Sequence, residues 1–160
     1  WTGGLYVTPT LPGSRPGGLS AAAWASLMRL GRSGLKDATS RILACCDRIR
    51  ETVEATDGLF VVGKPVAMVV AVGSERFNIF AFGRRLKKLG FAWATCQHPD
   101  CVHLAVTLVH TKHTDAICAA LRQAAAETHP DETANISVYG SGLNASDLSW
   151  YQSAVLDSKL

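Results

Sequence analysis

The sequence predicts an α+β fold: a small antiparallel sheet covered on one face by helices and preceded by a long interrupted helix. Three features of the chain lead there. Apolar side chains recur at three- and four-residue steps from Leu19 to Val53, with breaks only around Gly31 and Gly34. Downstream, short β-branched runs and helical stretches follow one another in the order β, β, α, β, β, α, the pattern of a sheet layered against helices. The 160 residues are 48% hydrophobic and 18% charged, enough apolar material for one core without staples and too much for intrinsic disorder.

The first eighteen residues hold three of the six prolines and five of the fourteen glycines, which predicts an irregular arm. The alanine-rich stretch Leu19 to Leu30 reads as helix. Beyond the two glycines, Leu35, Ala38, Ile42, Cys45, Cys46, Ile49 and Val53 form the apolar stripe of a second helix, with its charges largely opposite. After Asp57-Gly58 the period changes, and Leu59 to Val62 and Val66 to Val72 read as strands punctuated by Gly63, Pro65 and Gly73. Asn78 to Leu89 returns to a helical pattern, with Arg84, Arg85, Lys87 and Lys88 expected on a solvated face. Phe91 to Thr95 and Val102 to Val109 read as two more strands, and Thr114 to Glu127 as a helix with Thr114 as its N-cap. A polar loop from Thr128, a short strand at Ile136 to Tyr139 and a helix from Ala145 to Leu156 complete the expectation. Residues 1–56 then form an arm with connecting helices, and 57–160 a small α+β domain.

Sixteen basic against thirteen acidic residues give a net charge of +3, with no dense basic block interleaved with aromatics, so nucleic-acid binding is not expected. The longest uncharged apolar stretch, Val66 to Val72, is far below the roughly 18 residues of a membrane-spanning helix. Five cysteines, an odd number, do not suit a secreted disulfide framework and point to a reducing compartment. The chain begins at Trp1 without an initiator methionine or a signal-peptide pattern and is expected to be part of something larger.

Four constellations bear on chemistry. Gly13-Ser14-Arg15-Pro16-Gly17-Gly18 stands directly before a helix, where free N–H groups, a hydroxyl and a guanidinium suit a phosphate; a turn with a helix-starting proline fits equally. It is no Walker loop, because Gly-Lys-Ser/Thr is missing. Cys96, His98, Cys101 and His103 are all capable of binding zinc, yet their spacing departs from the usual pairs, and strand alternation sends Cys101 and His103 to one side as ordinary sheet residues. No metal is expected there. Gly140-Ser141-Gly142-Leu143-Asn144-Ala145 imitates a dinucleotide fingerprint but lacks the returning strand and the later acidic residue. His110, Lys112 and His113 sit at a strand-to-helix junction, where exposed polar residues are normal, and no G-x-S-x-G nucleophile elbow exists.

Trp1 to Thr10 together with Gly13 to Gly18 resembles the sphingosine phosphate lyase family of pyridoxal-phosphate (PLP) enzymes. Gly58-Leu59-Phe60-Val61, Phe77-Asn78-Ile79-Phe80, Val102 to Thr107 and Val155 to Ser158 are also similar to that family's C-terminal third. The Ser-Arg-Pro-Gly segment is similar to related PLP-dependent amino-acid decarboxylases as well.

The resemblance implies the C-terminal domain of a fold-type-I PLP enzyme, with the large cofactor-binding domain lying outside these residues. In the family a lysine following a histidine carries the cofactor, and none of Lys36, Lys64, Lys87, Lys88, Lys112 or Lys159 follows a histidine. By itself the chain is expected to be inactive. By resemblance the complete enzyme cleaves a phosphorylated long-chain base into phosphoethanolamine and a long-chain aldehyde, at sites shared between two subunits of a homodimer. Tyr6 is then placed near cofactor and substrate, Ser14 on the cofactor phosphate of the second subunit, and Arg15 as a brace of that loop. His103 stands where the decarboxylases present an arginine to a substrate carboxylate, which favours the lyase. The family has a small pair between the tyrosine and the proline, and Val7 is bulkier than that pattern. Membership implies the endoplasmic reticulum membrane facing the cytosol in a eukaryote, through an anchor elsewhere, and otherwise the cytoplasm. Apolar surface should be exposed around Trp1, Leu5, Tyr6 and the first helix. Two other readings are an amino-acid decarboxylase domain and a non-catalytic α+β interaction module.

Overall fold

The computed structural model describes residues 13–134. The expected strand at 136–139, the closing helix at 145–156 and most of the arm lie outside the described residues. Helix α1 spans Gly17–Glu54 as a single element bent at Gly31, whose φ of 60° with ψ of −179° is a conformation essentially reserved for glycine. The two helices expected there are thus joined through a kink. The helix also begins inside the stretch expected to be irregular, because Pro16, extended at φ −66°, offers its carbonyl to Leu19 N at 3.3 Å and starts the first turn.

Four strands follow: β1 (Leu59–Val61), β2 (Val69–Ser74), β3 (Ala94–Cys96) and β4 (Cys101–Ala105), hydrogen-bonded in the order β1-β2-β4-β3. All three pairings are antiparallel, with Phe60 opposite Gly73, Ala71 opposite His103, and Cys96 opposite Cys101. β2 starts later than expected, since Val66 after Pro65 is 93% exposed and packs on nothing. It also runs on through Gly73 instead of stopping there. The Phe60 ring lies against that glycine so closely that a Cβ would collide with it, an aromatic filling the space a glycine leaves. β4 ends at Ala105, short of the expected Val109, because Thr107 N donates to His110 Nδ1 at 2.9 Å and the chain turns into a short 3-10 helix, His110–Lys112.

Helix α2 (Ile79–Lys88) is capped by Asn78, whose Oδ1 accepts from Phe80 N at 2.9 Å and Ala81 N at 3.1 Å. Such a cap contributes about 1 kcal/mol. Helix α3 (Thr114–Glu127) has His113, not Thr114, in the N-cap position. Thr114 Oγ1 donates instead to Cys45 Sγ at 3.2 Å, tying α3 to α1. The second half of α1, α2 and α3 cover one sheet face, and the core between them is built from Ile49 and Val53, Phe82 and Leu86, Ile117 and Leu121, and Val70, Val72 and Val102 of the central strands, each 1% exposed or less.

The four cations of α2 do not all face solvent, as the sequence led one to expect. Arg84, Lys87 and Lys88 are exposed, but the half-buried Arg85 donates from Nη2 to Glu132 Oε2 at 2.7 Å; Arg84 Nη2 also donates to Thr133 O at 3.0 Å, so both arginines hold down the segment after α3. The hydrogen bond from Arg85, helped by the charges of Arg85 and Arg84, holds the Glu132 carboxyl below the ordinary carboxylate value. A depressed acid contributes stability above its unfolded pKa, about 4.3, and loses that contribution as pH falls through its lower folded value. Residues 129–134 are therefore expected to lose hydrogen-exchange protection on acidification below about pH 4, and the Glu132→Gln chain to show no such acid step.

Candidate functional site

The strand pattern places His103 in the middle of the sheet face that no helix covers. Val102 and Leu104 point into the core, so Cys101, His103 and Ala105 point the other way. On this open face the cross-strand neighbours of His103 are Ala71 on β2 and Ala94 on β3, both small, which leaves a partly exposed imidazole standing above a low surface. Phe60 and Gly73 bound that surface on the β1 side. The imidazole is oriented from β3, since Cys96 Sγ lies 3.3 Å from His103 Nδ1. Nε2 has no partner among the described residues.

Cys96 and Cys101 are opposite one another at the hairpin end. Burial, more than the charge of Cys96 beside it, pushes the Cys101 thiol up to about 11. His98, the fourth member of the sequence cluster, lies in the loop at φ 55° ahead of Pro99. No group of three or more His, Cys, Asp or Glu side chains converges on a metal-sized point among the described residues. The cysteine and histidine spacing corresponds to a hairpin register, with 96 opposite 101 and 94 opposite 103. What sequence reading missed is the pairing of Cys96 with His103. Its signal was present, since a loop at 97–100 closing two strands puts 96 opposite 101 and, two pairs further along on the same face, 94 opposite 103.

Ser14 and Arg15 occupy the other end of α1. Both are exposed, and the Arg15 guanidinium folds back onto its own loop, with Nη1 3.0 Å from Gly13 O and 3.4 Å from Ser14 O. Gly17 and Gly18 open the helix with nothing within 4 Å of where a Cβ would stand, and no acidic residue lies in the first turn. A hydroxyl, a guanidinium and a positive helix end around open space suit an anionic phosphate. Within one chain this end does not meet His103. Residues 13–30 are all exposed, and α1 reaches the core only near Cys45, about 40 Å further along its axis. Tyr6 lies outside the described residues. Another cleft, between α1 and the β1–β2 hairpin, is lined by Asp47, Arg50, Glu51, Glu54 and Lys64 and contains none of the sequence-predicted site residues.

The exposed half of α1 is apolar: Leu19 and Trp24 are each 65% exposed, Leu27 57% and Met28 66%. A stripe of this size on a soluble surface marks a packing site.

No family model matches the sequence. The chain is 45% identical over 111 residues to the sphingosine-1-phosphate lyase of Oryza sativa, an alignment covering 69% of this chain and 21% of that protein. It is 41% identical over 133 residues to the Drosophila melanogaster sphingosine-1-phosphate lyase, covering 82% and 24%. Its backbone matches the solved structure of a Burkholderia pseudomallei sphingosine-1-phosphate lyase with a TM-score of 0.70 at 34% identity, covering 82% of this chain and 30% of that one. The chain thus spans less than a third of the length of each of these relatives. Similarity to plant and insect members in sequence, and to a bacterial member in both sequence and backbone, leads to one conclusion: the chain belongs to the sphingosine-1-phosphate lyase family.

Proposed function

We propose that this chain is the C-terminal, small-domain part of a PLP-dependent carbon–carbon lyase that cleaves a phosphorylated long-chain base into phosphoethanolamine and a long-chain aldehyde. The single observation that carries this reading is 31–45% identity to eukaryotic proteins of that activity over 67–88% of the chain. PLP, when bound, supplies an electron sink for the carbanion left as the C2–C3 bond breaks. The reactive lysine comes from another part of the protein, since no lysine here follows a histidine.

The residues of this chain have three tasks in this reading. Ser14 and Arg15, at the open start of α1, bind the cofactor's phosphate. His103 faces the substrate, with Cys96 on Nδ1 orienting its ring so that Nε2 is turned outward. Ala71 and Ala94 beside it leave space for the substrate. Tyr6 is assigned to the same pocket by motif. The length of α1 between Ser14 and His103 supports a site completed across two copies in a homodimer, each providing one end. The large domain or second subunit then packs on Leu19, Trp24, Leu27 and Met28. In a eukaryote the protein would work at the endoplasmic reticulum membrane, facing the cytosol.

The test is cleavage of a phosphorylated sphingoid base, read as release of aldehyde. The isolated chain is expected to give none, and the complete polypeptide, or this chain with the large domain supplied, to give robust turnover. Carbon dioxide released from an amino acid would select the decarboxylase reading instead, and a full lyase rate from the isolated chain would refute the proposed division of labour. The isolated chain is also expected to self-associate through the first half of α1. Light scattering of a clean monomer that binds no apolar dye would count against that packing site.

A further inference from the structure

The β3–β4 hairpin carries a second thiol, Cys101, that the lyase reading does not use, beside Cys96 and His103, which it does. Cys96 and Cys101 are direct cross-strand partners, and antiparallel partners have Cα atoms about 4.5–5.5 Å apart, inside the roughly 4.4–6.8 Å window of an unstrained disulfide. His103 Nδ1 sits 3.3 Å from Cys96 Sγ. All three project from the open sheet face. Cys96 is partly exposed, whereas Cys101 is 5% exposed.

We propose that Cys96 and Cys101 form a hydroperoxide-responsive thiol pair, with Cys96 as the attacking sulfur, His103 as its proton acceptor and Cys101 as the resolving thiol. Chemically, His103 Nδ1 takes the Cys96 proton, and the sulfur attacks one oxygen of the hydroperoxide. An S–O bond forms, the O–O bond breaks, and the leaving alkoxide or hydroxide takes the proton back from the imidazolium. Cys101 then attacks the resulting sulfenic acid. The S–S bond forms, the S–O bond breaks, and water leaves carrying the Cys101 proton. Two thiols and one hydroperoxide give a disulfide, an alcohol or water, and one further water, so the sulfurs lose the two electrons that the peroxide gains. A thiol reductant reverses the change by exchange.

The division of roles follows from the surroundings. Cys101 is held protonated by burial, so Cys96 is the sulfur that reacts first and Cys101 the one that brings a proton to the second step. The charged and titratable groups near the pair are His103 on β4 and His98 and Asp100 in the loop; β2 contributes only Ala71 to the row of His103. The other three cysteines are unsuited. Cys45, Cys46 and Cys118 are 3% exposed or less inside the core, where peroxide does not reach. This proposal shares Cys96 and His103 with the lyase reading, but its readout is the state of the two sulfurs and needs no lyase turnover.

The test uses the full chain with hydrogen peroxide near stoichiometry, followed by alkylation and peptide mass spectrometry. The expected product is an intrachain Cys96–Cys101 link, about two mass units lighter than the dithiol. Cys101→Ser should leave a Cys96 sulfenic acid that a cyclic dione traps, and Cys96→Ser should leave Cys101 unmodified. His103→Asn should slow Cys96 oxidation about tenfold at neutral pH, with the difference closing above about pH 8.5, where thiols ionise unaided. Circular dichroism of each variant establishes that the fold is kept. Links between chains, oxidation of Cys96 to sulfinic acid with Cys101 still a thiol, or oxidation at equal rates of all five cysteines would each overturn the proposal.

Discussion

Truncating Phe82 to alanine is expected to lower the stability of the chain by about 3–5 kcal/mol, a large share of the roughly 5–15 kcal/mol that holds a domain of this size together. Phe82 heads the largest fully buried side chains, and its ring stacks on Phe77 at 5.8 Å between centroids and 26° between planes. It enters the core from α2 among residues of both other helices and the central strands, so no single element can shift to refill the space. Denaturant unfolding followed by far-UV circular dichroism measures the loss as a lower midpoint at unchanged slope. Phe60→Ala is the matched control. That ring is 39% exposed on the uncovered sheet face and covers Gly73, so its removal should cost much less. Equal losses at the two positions would mean that the helix-covered face is not the one supplying most of the stability.

Replacing His103 with alanine in the complete lyase should lower kcat/KM roughly 10- to 100-fold, the equivalent of one charge-assisted hydrogen bond of about 1.5–3 kcal/mol. The fold should tolerate the change, because the side chain stands on the open face, flanked by Ala71 and Ala94, and is absent from the core cluster. A loss confined to KM would make His103 a binding group for the substrate. A loss confined to kcat would place it in a step on the reacting atoms. An unaltered kcat/KM would remove His103 from the site altogether. Cys96→Ser, which keeps a small polar partner for Nδ1, should cost far less.

The layering was legible because periodicity reports which side chains seek the core: Cys45, Cys46, Ile49 and Val53 of the stripe read in α1 are buried, although Leu35 of the same stripe is 43% exposed. Ends of elements were less so. Leu108 and Val109 extend the apolar run of β4, but they are 38% and 68% exposed, because Thr107 turns onto His110. Gly73 reads as a strand terminator until the ring above it is seen. The cations of α2 read as a solvated face because Glu132 is 47 residues away from Arg85 in the chain. Of the candidate site, Ser14 and Arg15 were singled out through their place before a helix, a local signal. The contact of Cys96 with His103 depends on strand register, which a list of metal-capable residues does not convey.

The amino-acid order alone determined the element types, the amphipathic faces of the second half of α1 and of α2, and the kinship with the lyase family, since all of these are properties of neighbouring residues and of short motifs. Tertiary structure decided which sheet face is left open, that two thiols and an imidazole meet on it, and that Ser14 stands before the exposed start of α1 while His103 lies in the sheet on which the second half of that helix packs. Those outcomes depend on which strands pair and on how far the bent helix α1 carries the chain. Both are set by burying the whole core at once, so no local pattern encodes them.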